Sequence, residues 1–465
     1  MTTPGDLPRS TPEAQGVRSA ALLALIDRWE SQGLEPHSLM VLRHGHVIAE
    51  GWWAPYHRDG VQLLYSLSKS FTSSAVGLAV AENRFALTDR LSSFFPDAAR
   101  SAGPRARALT VHDALSMSTG HRADTLPGME ADLDAPERGF FAAEPAEPPG
   151  TWFVYHNGAT FMAGDVVQQR TGQRLLDYLR PRLFDPLGIT TAAWHQLPDG
   201  RDQGFSGLHL STEAVARFGQ LILDDGLFGG RQVLPAGWVA TATSAPTDNS
   251  MNEATADWQQ GYGYQFWRGR HGSVRGDGAY GQLCVVLPEQ DTVVVVTAAA
   301  DRMDTELDAV WEELLPALGP DPLPADAAAE QALTDRLAGV RIPVTSGAAV
   351  PESPGPWTFR REPDELHPAL TALTVRPTET GFTLEVSDGA ELRIACGTTS
   401  WPAVDSPFVA TGGWTDPSTF TARVVTVETP HHLFLTGDLR TGNLTARWNV
   451  VPLWTPSLAT LVSGV

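Results

Sequence analysis

The order of the predicted secondary-structure elements constrains the fold of this 465-residue chain more than any other feature. Apolar residues at helical spacing predict a helix at 20–31, and two strand patterns follow at 38–42 and 46–50. Strand patterns return only at 262–298, after a largely helical stretch punctuated by proline and glycine. The sheet must therefore be assembled from both ends of this region, with an all-helical lobe inserted between them.

The other elements complete an α/β prediction, an antiparallel sheet flanked by helices plus an all-helical lobe. Later strands are predicted at 262–268, 281–287 and 292–298. Further helices are predicted at 66–82, 111–117, 159–171, 175–183, 213–223 and 304–318.

The composition changes after residue 318, where Gly319-Pro-Asp-Pro-Leu-Pro has linker character. We expect three segments, 1–318 as the main domain, 319–349 as a linker with a short helix, and 350–465 as a small antiparallel β-barrel. The strand patterns behind the barrel prediction lie at 370–376, 382–387, 392–395, 420–427, 433–436 and 444–448.

Composition excludes several function classes. A formal net charge of −21 opposes binding to nucleic acid or to an anionic membrane. Cys284 and Cys396 give no disulfide framework, so we expect free thiols in a reducing compartment. The N-terminus shows no signal-peptide pattern, and no apolar stretch is long enough to span a bilayer. We therefore expect a cytoplasmic protein.

Lys69 is the only lysine in the chain, and it lies in Ser66-Leu-Ser-Lys69. Residues three apart on a helix share one face, so the amine can reach the serine hydroxyl. Serine becomes a nucleophile when a base takes its proton, and a desolvated lysine, unlike arginine, can be that base. We predict Ser66 as nucleophile and Lys69 as base; the alternative is a surface lysine.

Two further motifs carry groups that suit acyl chemistry. Tyr155-His-Asn157 offers a phenol that can relay a proton and an amide that can hold a substrate carbonyl, although Tyr155 taken alone favours a packed aromatic residue. In Gly276-Asp-Gly278-Ala279, the glycines allow close approach of a ligand, and the Ala279 amide can donate to an oxyanion. Taken alone, this third motif is a tight turn.

In this order the three motifs resemble the serine β-lactamase and penicillin-binding-protein family, most closely the class C-like branch. That branch includes esterases, D-aminopeptidases and 6-aminohexanoate-dimer hydrolases. The resemblance covers roughly residues 10–318 and includes segments 115–120, 182–189 and 215–221. It implies an acyl-enzyme on Ser66, with Lys69 and Tyr155 as proton-transfer partners. The amides of Ser66 and Ala279 would form the oxyanion hole.

The chain departs from the family at the third motif. β-Lactamases carry Lys-Thr-Gly there and many relatives carry His-x-Gly, whereas this chain has Gly276-Asp277-Gly278. The cation that holds a substrate carboxylate is missing, and Asp277 would repel one. We therefore expect no efficient β-lactamase or carboxypeptidase activity. His271 and Arg275 could replace the cation, but we expect both to face solvent.

Other histidines are weaker candidates. His209 is a possible member of the substrate-binding cleft, together with Asn157, Gly278 and Ala279. The His431-His432 pair has no third ligand at usable spacing, so we expect a strand-edge pair and neither a metal nor a cofactor.

The resulting prediction is a metal-independent serine hydrolase that acts on a small ester, amide or peptide. Alternatives are an acyltransferase or peptide cyclase that uses the same acyl-enzyme, and a non-catalytic ligand sensor. The oligomeric state stays open. We expect the barrel, lipocalin-like by resemblance, to contribute no catalytic residue. It would act either as a lid, with Trp401, Phe408 or Trp414 at the cleft mouth, or as a packing or dimerisation module that buries them, which we favour.

Overall fold

The computed structural model describes residues 7–252, 255–351, 353–454 and 456–464. Its main sheet has six strands, and every neighbouring pair is antiparallel. In spatial order the strands are His46–Trp52, Pro36–Arg43, Thr292–Ala298, Gln282–Leu287, Val274–Gly278 and Trp267–Arg268. The first two strands pair with the last four through Met40 opposite Val295, so the prediction of a sheet assembled from both ends is confirmed.

Both faces of this sheet are buried, because successive side chains of a strand point to opposite sides. Leu39 and Val41 pack in one core with the helices Ser19–Ser31 and Met303–Ala309. Their neighbours Met40 and Leu42 pack in a second core against the helical lobe. The lobe thus covers one face of the sheet, and the two terminal helices cover the other.

The lobe consists of helices with two short sheets between them. The helices are Ser68–Ala81, Leu91–Phe94, Pro104–Ala108, Val111–Leu115, Leu126–Met129, Pro136–Ala142, Asn157–Thr171, Leu175–Leu179, Thr212–Leu223 and Trp238–Ala242. One short sheet joins Gln62–Leu63, Leu208–Leu210 and Ala193–Trp194, and the other joins Leu227–Phe228 and Arg231–Gln232. Among the described residues, no helix combines the length and the apolar character needed to cross a membrane.

Two predicted elements differ from the structure. The strand expected at 262–268 is reduced to Trp267–Arg268, because Gln265 adopts a left-handed conformation with φ of 65° that interrupts an extended chain. The third motif, which read alone as a tight turn, lies in the regular strand Val274–Gly278. The turn follows it, with Tyr280 and Gly281 at positive φ.

The C-terminal region forms a closed barrel of eight strands. They are Trp357–Arg360, Leu370–Pro377, Gly381–Asp388, Glu391–Gly397, Phe408–Asp416, Thr419–Thr426, His432–Asp438 and Asn443–Trp448. Six of the neighbouring strand pairs are antiparallel. Two pairs are parallel: the first strand with the last, which closes the barrel, and the pair in which Cys396 lies opposite Ala410. The helix Ala327–Ala338 precedes the barrel, and the predicted domain boundaries stay a prediction.

A buried polar network joins the barrel to the main sheet. The Arg423 guanidinium pairs with Glu35 and donates to His432 Nδ1 over 3.0 Å. His432 Nε2 lies 2.8 Å from the Tyr56 hydroxyl, which donates to the carbonyl of Thr429. Burial alone would raise the pKa of Glu35, but its interactions with His432, His37 and Arg423 hold it well below its usual range.

Replacing Arg423 tests how strongly this network joins the two parts. We expect Arg423→Ala to lower the free energy of unfolding by about 3 kcal/mol, because it leaves a largely buried carboxylate without its cation. Urea unfolding followed by tryptophan fluorescence measures the loss. Arg393→Ala is the control, because Arg393 is 75% exposed on the barrel surface. Equal stability of the two variants would contradict the prediction.

Candidate active site

Ser66 lies in the single helical turn Tyr65–Leu67, directly before the helix Ser68–Ala81. Tyr65 adopts φ of 47°, a conformation that non-glycine residues rarely occupy. The turn leaves Ser66 partly exposed and Lys69 inside the first turn of the helix. The predicted pairing of serine and lysine on one helix face is therefore realised across a turn–helix junction.

The Lys69 side chain is 1% exposed, and its amine contacts three oxygen atoms. Its Nζ lies 2.8 Å from Ser66 Oγ, 2.7 Å from Asn157 Oδ1 and 2.8 Å from the carbonyl oxygen of Phe205. Burial lowers the pKa of Lys69 to about 7, although nearby carboxylates oppose the change. The surface-lysine alternative is wrong.

These contacts orient the amine when it loses its proton. A neutral amine has two N–H donors and one lone pair, whereas the ammonium has three donors. Asn157 Oδ1 and the Phe205 carbonyl can only accept, so they fix both N–H groups. The lone pair is then directed at the remaining contact, Ser66 Oγ.

Tyr155 completes the predicted set. Its hydroxyl interacts with the Ser66 side chain, and its ring stacks on Trp267 with centroids 5.4 Å apart. The Lys69 amine lies 4.9 Å from the centre of the Tyr155 ring. Burial and the charge of Asp277 raise the pKa of Tyr155, so the phenol keeps its proton. The side chain is a packed aromatic residue and a member of the site at once.

Asn157 begins the helix Asn157–Thr171 and is held at both ends of its amide. Oδ1 accepts from Lys69, and Nδ2 donates to Asp124 Oδ2 over 2.8 Å. Asn157 thus orients the Lys69 amine. The sequence also predicts that Asn157 holds a substrate carbonyl, and only the second N–H of Nδ2 is left for that contact. Asp124 was not among the predicted site residues. The one local feature that marks it is a turn, in which its carboxylate accepts from the Leu126 amide.

The third motif lies against the nucleophile turn. A Cβ added at Gly278 would stand 2.0 Å from the carbonyl oxygen of Leu64, and one added at Gly276 would stand 2.3 Å from Leu67. A side chain at Gly278 would push the strand Val274–Gly278 away from the backbone of the turn, whereas one at Gly276 would displace the Leu67 and Ser70 side chains. The glycines therefore allow the strand that precedes Ala279 to pack closely against the turn that carries Ser66.

The charges at this motif differ from the prediction. Arg275 does not face solvent: it is fully buried, and its Nε donates to Asp277 Oδ2 over 3.1 Å. Trp258 Nε1 donates to the same oxygen over 3.0 Å, and the Arg275 guanidinium lies 4.6 Å from the centre of the Trp258 ring. Asp277 is thus a paired carboxylate beside the site, where we had expected an unpaired one.

The sequence of this chain is similar to those of several known proteins. The sequence model of the Beta-lactamase family matches residues 24–317. The chain belongs to this family. A 6-aminohexanoate-dimer hydrolase from Paenarthrobacter ureafaciens is 26% identical over 320 residues, 64% of this chain and 81% of its own length. A lovastatin esterase from Penicillium rubens is 29% identical over 173 residues, 32% of this chain and 43% of its own length.

Solved structures share the fold. A putative 6-aminohexanoate-dimer hydrolase from Bacillus anthracis superimposes with a TM-score of 0.53 at 18% identity, covering 66% of this chain and 86% of that one. EstCE1, a hydrolase with promiscuous acyltransferase activity, gives a TM-score of 0.52 at 17% identity, with 63% and 100% covered.

Two predicted histidines lie away from the centre of this β-lactamase-family site. His209 does not line the cleft: it is fully buried in the strand Leu208–Leu210, and burial lowers its pKa to about 3. The prediction that His209 lines the cleft was wrong, because the short sheet buries the whole strand, including its neighbours Leu208 and Leu210. His271 is exposed, as expected, and its ring packs near Trp311.

The histidine pair of the barrel is buried rather than at a strand edge. Glu35 and His37 approach His432, so that one possible ligand atom from each of the three residues lies within 4.8 Å of the other two. Spacing along the sequence could not reveal this cluster, because Glu35 and His37 are far from His432 in the chain. The Arg423 guanidinium already contacts Glu35 and His432 Nδ1 in this cluster. A cation of the protein therefore already neutralises the carboxylate of this cluster.

The barrel contacts the residues that flank the active-site turn. His431 Nδ1 donates to the Val450 carbonyl over 2.9 Å, which leaves Nε2 to accept from the Tyr65 hydroxyl at 2.5 Å. Tyr280, next to Ala279, donates to the carbonyl of Val451. His431 and the segment after the last barrel strand thus contact the neighbours of both predicted oxyanion amides.

Because Lys69 is the only lysine, its charge is directly measurable. In protein labelled with 13C at lysine Cε, we expect one resonance that titrates near pH 7, against about 10.4 for an ordinary lysine. Asp124→Asn should lower that midpoint, because the Asp124 charge raises the pKa of Lys69. Glu130→Gln is the matched control and should leave it unchanged. A midpoint near 10 in the unaltered protein would contradict the prediction.

Proposed function

We propose that this protein is a serine hydrolase that cleaves an amide or ester bond of a small molecule or peptide through an acyl-enzyme on Ser66. The observation that carries the proposal is the 2.8 Å contact between Ser66 Oγ and a buried amine whose pKa lies at about 7. A base poised near neutral pH can take the serine proton without remaining permanently charged.

Acylation begins when Ser66 Oγ attacks the substrate carbonyl carbon. A bond forms from Oγ to that carbon, and the hydroxyl proton moves to the Lys69 lone pair. The carbonyl electrons move onto oxygen, where the amides of Ser66 and Ala279 would donate to the oxyanion. Gly278 supports this role, because its lack of a side chain allows Ala279 to approach the turn.

The tetrahedral intermediate collapses when the leaving group takes a proton. Tyr155 suits this step, because its phenol keeps its proton and interacts with the Ser66 side chain. Tyr155 gives its proton to the departing nitrogen or oxygen and regains one from the Lys69 ammonium. Water then attacks the acyl-enzyme, and the same groups return Ser66 to its hydroxyl form.

The substrate class follows from the third motif and from the relatives. Asp277 and Arg275 form a buried pair, so this part of the site offers no free cation for a substrate carboxylate. We therefore propose weak activity on penicillins and on peptides ending in a free carboxylate. The names of two relatives, a dimer hydrolase and an esterase, indicate amides and esters as classes to test.

The acceptor and the location of the protein belong to the same proposal. Water is the proposed acceptor, and product analysis with added amines or alcohols separates hydrolysis from acyl transfer. A ligand sensor would need neither a nucleophile nor a base, so the complete Ser66, Lys69 and Tyr155 set opposes that alternative. The two free, buried cysteines suit the cytoplasmic location that we propose.

Substitution of the nucleophile and base tests the mechanism. Ser66→Ala should abolish turnover of a short-chain p-nitrophenyl ester and labelling by a fluorophosphonate, with the adduct of the unaltered protein located at Ser66 by mass spectrometry. Lys69→Arg should lose several orders of magnitude in kcat/KM, because arginine cannot accept the proton. Retention of near-normal activity by a folded Lys69→Arg variant would overturn the mechanism.

The pH dependence gives a second test. Only the neutral amine can accept the serine proton, so kcat/KM should rise with pH through an apparent pKa of about 7. Asp124→Asn removes a charge that favours the ammonium, so the rising limb should move to lower pH. A profile that is flat from pH 5 to pH 9 would exclude Lys69 as the base.

A further inference from the structure

We propose that the segment after the last barrel strand builds one wall of an acyl pocket, with Leu453 and Trp454 as residues that select an uncharged, apolar acyl group. This inference rests on the proposed function, because it names the substrate class of the same site. It assigns to the C-terminal region a direct role in substrate selection.

The pocket is a cavity of about 500 Å³ between the helical lobe and this segment. Its walls are mainly apolar, formed among others by Leu126, Met129, Phe161, Phe205, Leu453 and Trp454. Leu453 is 52% exposed and Leu133, at the opposite wall, is 38% exposed. Large apolar side chains left exposed around one concavity are typical of a binding site.

The pocket adjoins the nucleophile. The carbonyl of Phe205 accepts from Lys69 Nζ, while the Phe205 ring forms part of the pocket wall. The Trp454 ring packs on the Phe205 ring at 5.7 Å and stacks on the ring of Tyr65 at 5.8 Å. Tyr65 directly precedes Ser66, so Trp454 contacts both the residue next to the proposed nucleophile and the residue whose carbonyl holds the Lys69 amine.

The position of Tyr155 indicates which half of the substrate enters. The leaving group must lie near Tyr155, whose ring packs against Trp267 and Tyr262. Neither of these residues lines the pocket, which lies on the Phe205 side of Lys69. The pocket therefore shares no side chain with the surroundings of Tyr155, and we assign the acyl half of the substrate to it.

The charge around the pocket favours an uncharged acyl group. Among the described residues that line the pocket, Glu130 is the one ionisable side chain, and it is exposed. The whole chain carries a net charge of −21. A carboxylate on the acyl group would meet this negative field without a cation in the pocket. An alkyl chain would instead gain about fourfold in kcat/KM for each methylene buried.

Chain-length preference tests the inference. With p-nitrophenyl acetate and hexanoate, the unaltered protein should prefer hexanoate by at least tenfold in kcat/KM. Trp454→Ala and Leu453→Ala should each reduce that preference by about threefold or more, and Leu453→Arg should improve the use of an acyl group that ends in a carboxylate. Leu366→Ala is the control, because Leu366 is also 52% exposed but lies on the barrel away from the pocket.

The outcomes separate this inference from the function beneath it. The acyl pocket alone would be overturned if the protein forms a Ser66 adduct and turns over the acetate ester, but its preference for hexanoate is unchanged in both Leu453 variants and in Trp454→Ala. Absence of any adduct and of any ester turnover would instead overturn the proposed function. Should Trp454→Ala fail to fold, the exposed Leu453 variants still decide, because they remove no buried packing.

Discussion

The site depends on the burial of one amine among three oxygen atoms. Removing a charged amine from water is costly, so burial lowers the pKa of Lys69 to about 7, although the nearby carboxylates raise it. The three oxygens come from the nucleophile turn, the start of the Asn157–Thr171 helix and the loop at Phe205. The lobe must therefore be packed correctly on the sheet before Lys69 can serve as a base.

The barrel supports the same site from the other side. It shares an apolar core with the main sheet through Val409 and Val425, and Arg423 joins the two parts by charge. His431 and the segment that follows the barrel contact the residues beside Ser66 and Ala279. These contacts agree with a packing role, since Phe408 and Trp414 are buried within the barrel and Trp401 packs toward the linker. The aromatic residue from this region that contacts Tyr65, next to the proposed nucleophile Ser66, is instead Trp454, at the edge of the pocket.

The altered third motif illustrates how packing changes the meaning of a charge. In sequence, Asp277 is an acidic residue where relatives carry a cation, and repulsion of a carboxylate follows. In the structure, Arg275 and Trp258 both donate to Asp277, and the Arg275 guanidinium also lies 6.0 Å from the centre of the Trp267 ring, so the pair is close to neutral and buried. Both descriptions disfavour a carboxylate substrate, but the physical cause is the lack of a free cation.

The sequence by itself determined the order of the elements, the sheet assembled from both ends, and the Ser66–Lys69 and Tyr155–Asn157 pairs. Local spacing carries such information, because helix and strand periodicity and i, i+3 neighbours are properties of adjacent residues. Only the tertiary structure decided that Asp124 holds Asn157, that His209 is buried and that Trp454 adjoins the site. Those contacts join residues that are 33 or more positions apart, as in Asp124–Asn157 and Tyr65–Trp454, and no local pattern encodes them.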